Sequence, residues 1–117
     1  MQKTRKAVLI TFNVQSKNFE NNTERNKFFR LLYGWKQVVP KEDKEYVYQR
    51  EGLLDEMPHT RIGQSSFIVP EDNFDKIFEF FDEWSKKVIW RNFKVLLEDD
   101  DFEQMFEEED TEEKEEW

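Results

Sequence analysis

The stretch Ala7-Val8-Leu9-Ile10-Thr11-Phe12-Asn13-Val14 decides how the N-terminal part of this chain folds. Its β-branched and aromatic residues favour an extended strand, in which side chains alternate between two faces. Leu9 and Asn13 share one face, so Asn13 is a polar exception near the end of a mostly apolar face. Strand ends open onto loops, where ligands and partners reach a chain. Asn13 is therefore a candidate functional residue, and the alternative is that its amide only bonds the following turn.

The composition indicates a single domain and excludes several classes of site. A chain of 117 residues is long enough for one core and too short for two. It has no cysteine, so disulfides, thiolate metal sites and cysteine nucleophiles are excluded, and its one histidine is His59. No run approaches the roughly 20 apolar residues of a membrane helix, and the N-terminus lacks the apolar core of a signal peptide. We therefore expect a cytoplasmic protein with no membrane partner.

The formal net charge of −9 is distributed unevenly along the chain. Residues 98–117 contain thirteen acids and one lysine, whereas residues 1–97 contain 17 bases and 14 acids. We predict a basic domain over residues 1–97 and an acidic tail over residues 98–117, disordered or partly helical. An acidic tail can compete with nucleic-acid phosphates for a basic surface, so this arrangement favours a nucleic-acid partner. The alternative is that the tail only keeps the protein soluble. The predicted nucleic-acid-binding residues are Lys3, Arg5, Lys6, Lys17, Arg25, Lys27, Arg30 and Arg61.

The middle of the chain predicts a helix and a hairpin. A polar loop after the first strand leads to a helix over residues 23–33, which Asn21 or Thr23 can cap and Gly34 ends. Residues 35–48 contain two strand-like runs around a tip of proline and charged residues, which predicts a β-hairpin.

The second half of the chain predicts a strand, a helix and another strand. We predict one strand over residues 61–69 and a helix that begins at Pro70, because apolar residues then recur at helical spacing as far as Val88. A last strand covers residues 89–97. Within the tail, apolar residues at helical spacing suggest that its first turns dock on the domain; they are Phe102, Met105 and Phe106.

These elements predict an α+β protein, specifically a ferredoxin-like βαββαβ sandwich with an inserted β-hairpin and an acidic C-terminal tail. In that fold two helices cover one face of an antiparallel sheet and leave the other face bare. A symmetric homodimer that stacks two bare faces would bury their apolar residues. The predicted interface residues are Leu9, Phe67 and Trp90.

Two short motifs resemble the CRISPR-associated Cas-two family, including the related domain of some bacterial transcription repressors. Residues 8–14 resemble the first strand of that family, which ends with an aromatic residue, an aspartate and an aliphatic residue. Arg61-Ile62-Gly63-Gln64-Ser65-Ser66-Phe67 resembles its strand before the second helix, followed here by an acidic helix start and Phe74. The resemblance covers residues 6–97 and implies a ferredoxin-like homodimer that binds duplex DNA or RNA.

Some members of that family are metal-dependent nucleases, in which a first-strand aspartate from each protomer holds a divalent cation. The matching position here is Asn13, whose neutral amide lacks the charge that magnesium requires. The resemblance therefore implies a catalytically inactive, sequence-nonspecific nucleic-acid-binding or adaptor protein, with no catalytic residue, metal ligand or cofactor. Magnesium would enter only if nuclease activity is retained.

Two other functions stay open at this stage. One is a protein-interaction module without nucleic acid, which docks a partner through the tail or through the hairpin aromatics Trp35, Tyr46 and Tyr48. The other is a metal-dependent endonuclease that uses other carboxylates in place of the lost aspartate. The acids at positions 55 and 56 lie near His59 in the sequence, but a lone loop histidine is more often a surface residue than a metal ligand.

Overall fold

The computed structural model describes residues 3–106, which form an α+β structure. Among these residues, no helix combines the length and the apolar character needed to cross a membrane. The chain forms two compact units, one built from residues up to Gln15 and from Pro58 onward, the other from Ser16–Met57. In chain order the elements are β1 (Thr4–Val14), α1 (Asn22–Tyr33), β2 (Trp35–Lys41), β3 (Lys44–Arg50), β4 (Thr60–Gly63), β5 (Ser66–Pro70), α2 (Phe74–Glu83), β6 (Val88–Glu98) and α3 (Asp99–Phe106).

The first unit is organised around a four-stranded sheet with the order β4-β5-β1-β6. All its neighbouring strands are antiparallel. The strand β1 lies inside the sheet, where Leu9 pairs with Ile68 of β5 and with Phe93 of β6. Because side chains alternate along each strand, these three residues lie on the same face of the sheet.

The prediction of one strand over residues 61–69 was wrong. The chain turns at Gln64 and Ser65, so this segment supplies both β4 and β5. Small and polar residues at the turn do not maintain an apolar strand face, and the register shifts between Arg61 and Gly63. The carbonyl of Ser65 accepts a hydrogen bond from the N–H of Phe12 at 3.0 Å, which ties the turn to the neighbouring strand.

One face of the sheet packs against α2. The alternation of β1 places Val8, Ile10 and Phe12 together on this face, and all three are buried. The predicted helix is shorter than expected: Glu71–Asn73 form a 3-10 turn, α2 runs from Phe74 to Glu83, and Val88 begins β6. Buried aromatic rings join helix to sheet, and this packing accounts for much of the unit's stability because each buried ring contributes about 1.5–3 kcal/mol.

The other face of the sheet is covered at one end by α3. Ala7, Ile68, Phe102 and Phe106 form a buried cluster there. The hydroxyl of Thr60 donates a hydrogen bond of 2.7 Å to the backbone carbonyl of α3 at position 105. The tail predicted from residue 98 onward thus begins with a helix that packs on the sheet, and its remainder, residues 107–117, lies outside the described residues.

The second unit consists of α1, the β2–β3 hairpin and a short 3-10 turn at Leu53–Glu56. Of the two predicted caps, Asn21 serves: its side-chain oxygen accepts a hydrogen bond of 2.9 Å from the N–H of Glu24. Gly34 ends α1 with φ of 83° and donates its N–H to the carbonyl of Arg30 at 2.8 Å. The predicted hairpin is present as a separate two-stranded sheet.

Candidate nucleic-acid interface

Asn13 lies near the end of β1, is exposed, and pairs with Ile89 of β6. Its diagonal neighbour on the same face is Arg91, which brings a positive charge. Within residues 3–106, no group of three or more His, Cys, Asp or Glu side chains could hold a metal ion. A neutral amide beside a guanidinium does not fit a magnesium site, because that cation prefers carboxylate oxygens.

The three predicted interface residues do not share a surface. Phe67 is fully buried on the α2 face, and on the same face the ring of Trp90 stacks on Phe81 with 5.0 Å between centroids. Leu9 lies on the opposite face, where Phe93 is 50% exposed. Alternation along β6 places residues 89, 91 and 93 on the same face of the strand. The register with β1 shows that this is the face of Leu9, because Leu9 pairs with Phe93.

The predicted bases of the first strand lie close to acidic groups. The guanidinium carbon of Arg5 is 3.8 Å from the ring centroid of Phe102, on the helix whose first turn holds three consecutive aspartates. Arg5 and Lys6 also line an open cavity of about 250 Å³ together with Glu71 and Asp72. These acids offset part of the positive charge of the two bases.

Arg61 lies on β4 and is exposed. It lines a second open cavity, of about 610 Å³, together with His59 and residues of β4 and α3. Asp55, which the sequence grouped with His59, accepts a hydrogen bond of 2.8 Å from the N–H of Gly52 inside the second unit. The structure therefore gives Asp55 a role in holding its own turn.

The remaining predicted bases belong to the second unit. Lys17 lies in the 3-10 turn Ser16–Asn18, and the other three, on α1, are Arg25, Lys27 and Arg30. Two of these arginines lie over aromatic rings: the guanidinium carbon of Arg25 is 5.1 Å from the centroid of Phe29, and that of Arg30 is 4.1 Å from the centroid of Trp35. Such cation–π contacts restrain the arginine side chains without neutralising their charge.

The register of the hairpin places aromatic and basic side chains on one face. Trp35 pairs with Arg50, position 37 pairs with Tyr48, position 39 pairs with Tyr46, and Lys41 pairs with Lys44. Directly paired residues lie on the same face, and every second residue of a strand joins them. We call this surface the basic aromatic face, and its aromatic and basic members are Trp35, Lys41, Lys44, Tyr46, Tyr48 and Arg50.

Local contacts hold the side chains of this face in place. The Nε of Arg50 donates a hydrogen bond of 2.7 Å to Oε1 of Gln37, and its guanidinium carbon is 5.2 Å from the ring centroid of Tyr48. Tyr46 and Tyr48 are nevertheless 44% and 45% exposed. The face therefore offers accessible rings next to restrained or exposed positive charges.

Sequence reasoning singled out the hairpin aromatics and missed the bases beside them. Lys44 and Arg50 share the face of the tyrosines by alternation along β3, and the turn at Glu42 and Asp43 sets the cross-strand register that adds Lys41. The sequence signal for the bases of β3 was the period-two spacing of charged and aromatic residues over residues 44–50.

No family model, no curated protein and no solved structure significantly matches this chain.

Proposed function

We propose that this protein is a catalytically inactive, sequence-nonspecific nucleic-acid-binding protein of the Cas-two-like kind, acting as a homodimer. The observation that carries the proposal is the basic aromatic face, on which every charged side chain is a base. The exposed bases Lys27 and Arg30 on α1 add positive charge within the same unit. Lysine and arginine contacts of this kind bind phosphates and carry no sequence information.

The strand order supports the fold that this proposal implies. The order β4-β5-β1-β6 with antiparallel neighbours is the order of a ferredoxin-like sheet, in which the first and last core strands lie side by side. The helix α2 covers one face of this sheet and supplies one of the two helices of that fold. The β2–β3 hairpin is then the insertion.

The absence of catalysis is proposed from the chemistry at Asn13. An amide can neither supply the charge that holds a divalent cation nor act as a general base. We therefore propose no catalytic residue and no cofactor. A cleavage assay with magnesium or manganese provides the check, and metal-dependent cleavage that co-purifies with the protein through several columns would contradict this part of the proposal.

The direct test is a titration of labelled duplex DNA and duplex RNA with the full-length protein over a series of salt concentrations. The affinity is expected to fall as salt rises, with a log–log slope of about −0.9 for each phosphate that a base neutralises. Similar affinities are expected for unrelated sequences. Undetectable binding at low salt to duplexes and to single strands alike, or binding that ignores salt, would overturn the proposal.

The acidic segment 107–117 is expected to weaken binding. It contains eight acids and one lysine, so it competes with phosphate for the same bases. Changing the eight acids to the corresponding amides should tighten duplex binding by about tenfold. This is the lower end of the change in local ligand concentration that a cluster of like charges produces. A shuffled tail of unchanged composition is the matched control and should bind like the wild type. An unchanged affinity of the amide variant would show that the tail does not compete.

The homodimer is expected to form through the part of the sheet that α3 leaves uncovered. Phe93 is 50% exposed there beside Leu9, and Ile89, four residues before Phe93 on the same face, is 52% exposed. A second copy stacked on this face would bury all three side chains in an isologous interface. Phe93→Glu should give a monomer in light scattering, because a buried unpaired carboxylate is costly. Leu96→Glu is the control, since Leu96 is 65% exposed on the opposite face of the same strand.

This dimer prediction has two outcomes that count against it. A wild-type mass equal to one chain at high concentration would contradict the homodimer itself. A Phe93→Glu variant that remains dimeric would show that the contact lies elsewhere on the protein.

A second candidate function is protein docking, and one observation favours it. Val38 and Val47 pair directly on the other face of the hairpin and are 52% and 59% exposed. Adjacent exposed apolar side chains are a common feature of protein interfaces. If this face docks a protein, Val47→Gln should weaken that complex and leave nucleic-acid affinity unchanged.

A further inference from the structure

We infer that the basic aromatic face is a stacking platform for single-stranded nucleic acid. The inference rests on the proposed function and adds to it the form of the ligand and the side chains that recognise it. Three features of the face support the inference: the exposed tyrosine pair, the basic side chains at both ends of that pair, and the contacts that restrain these side chains.

The tyrosine pair offers two neighbouring ring surfaces on which nucleotide bases can stack. Tyr46 and Tyr48 point to the same side of β3, about 6.8 Å apart along the strand, which is twice the rise per residue. Tyr46 is 44% exposed and Tyr48 is 45% exposed, so both side chains remain accessible to a planar ligand. Two nucleotide bases can therefore stack on successive rings, and every base has a π-face that allows this whatever its sequence.

The basic side chains of the face flank the tyrosine pair along the hairpin. Lys41 and Lys44 pair at the turn end, and Arg50 lies at the opposite end, next to Tyr48. A strand that runs along the hairpin would thus meet positive charge before and after the two rings. The remaining acid of β3, Glu45, points to the other face because it follows Lys44 directly.

The restraint of these side chains reduces the entropic cost of binding. Arg50 is already hydrogen-bonded to Gln37 and lies over Tyr48 before any ligand arrives. Arg30 covers one side of the Trp35 ring at 4.1 Å. Side chains that are held in this way lose less conformational freedom on binding than free ones.

A single strand fits this face better than the other anionic ligands. In a duplex the bases stack on each other, so phosphates could contact the lysines but the tyrosine rings would have no partner. An acidic peptide supplies charge, and the chain's own segment 107–117 has one aromatic residue, Trp117, for two exposed rings. A single strand supplies both a phosphate chain and a series of planar bases.

The test is a fluorescence anisotropy titration of the full-length protein with labelled oligothymidine and oligouridine of about 15 nucleotides, a length within known single-strand site sizes. Replacing both tyrosines by alanine, in Tyr46→Ala/Tyr48→Ala, should weaken binding by at least about 25-fold, taking fivefold as the low end for each stacked base. Affinity for a duplex of equal length should change less than about twofold, because phosphate contacts remain.

Two further variants separate stacking from damage to the fold. Tyr46→Phe/Tyr48→Phe keeps both rings and should bind oligothymidine like the wild type. Val47→Gln changes the residue between the two tyrosines, which is 59% exposed on the opposite face, and should also bind normally. Circular dichroism melts of all variants show whether the hairpin substitutions leave the structure intact.

The outcomes distinguish this inference from the proposed function. Wild-type binding to duplex but not to single strands, or single-strand binding that the double alanine variant retains, would overturn the inference and leave the proposed function standing. Loss of binding in the double phenylalanine variant would also overturn it. If the wild type binds neither form, both fail. If a peptide of residues 107–117 binds in a tyrosine-dependent way and oligothymidine does not, the face recognises acidic peptide instead.

Discussion

Replacing Phe81 with alanine is expected to lower the free energy of unfolding by about 3–5 kcal/mol, the range observed for truncating a buried aromatic residue. Phe81 is fully buried, and its ring lies 5.4 Å from that of Phe12, 6.3 Å from that of Phe67 and 5.0 Å from that of Trp90. Removing the ring would leave a cavity between α2 and the sheet that these neighbours fill only in part.

Urea unfolding followed by circular dichroism measures this loss. Phe78→Ala is the matched control, because Phe78 lies on the same helix but is 48% exposed. Its substitution should cost about 1 kcal/mol, the value typical of a partly exposed side chain. Equal losses in the two variants would show that α2 does not pack on the sheet as the structure has it.

Gly34→Ala is expected to destabilise the second unit strongly. Gly34 has φ of 83° and ψ of 178°, a region that is essentially restricted to glycine, and a side chain there costs about 1–3 kcal/mol in strain alone. An added Cβ would also lie 2.6 Å from the carbonyl oxygen of Arg50 and 2.8 Å from a carboxylate oxygen of Asp55. The backbone must shift to relieve these clashes. We expect the shift to displace the base of the hairpin, and with it Arg50 and the basic aromatic face.

Thermal unfolding and oligothymidine binding should therefore both respond to Gly34→Ala. Gly63→Ala provides the control in the other unit, because its Cβ would lie 3.5 Å from the hydroxyl of Ser66, an ordinary contact. Its melting temperature and its affinity should stay close to those of the wild type. A Gly34→Ala variant with a wild-type melting temperature would contradict the tight approach of Gly34 to the hairpin.

Local patterns in the sequence predicted much of the secondary structure. The alternation of β1 grouped Val8, Ile10 and Phe12 on one side, which is buried, and helical spacing found the buried Ile77 and Phe81 of α2 but wrongly extended that helix to Val88. These predictions succeeded because side-chain direction repeats every two residues in a strand and every 3.6 in a helix. The ends of α1 were predictable for a similar reason, since capping depends on neighbours within a few residues.

The errors arose where the outcome depended on distant parts of the chain. Residues 61–69 have strand-like composition throughout, but β5 pairs with β1 only as far as Ser66, and the segment before it turns back to form β4. The face on which Trp90 lies is set by its pairing with Phe12 and its contact with Phe81, which assign it to the α2 side. Composition carries no information about which strand will lie alongside.

The sequence by itself determined the α+β class, the periodic faces of the long elements and the concentration of acids towards the C-terminus. Tertiary structure decided which charges act together. The packing of α3 places Arg5 over Phe102, on the helix that begins with three aspartates, and the β2–β3 register brings Lys41 beside the tyrosines of β3. The physical reason is that a charge acts over a few ångströms in space, whatever its separation along the chain, and only the fold sets those distances.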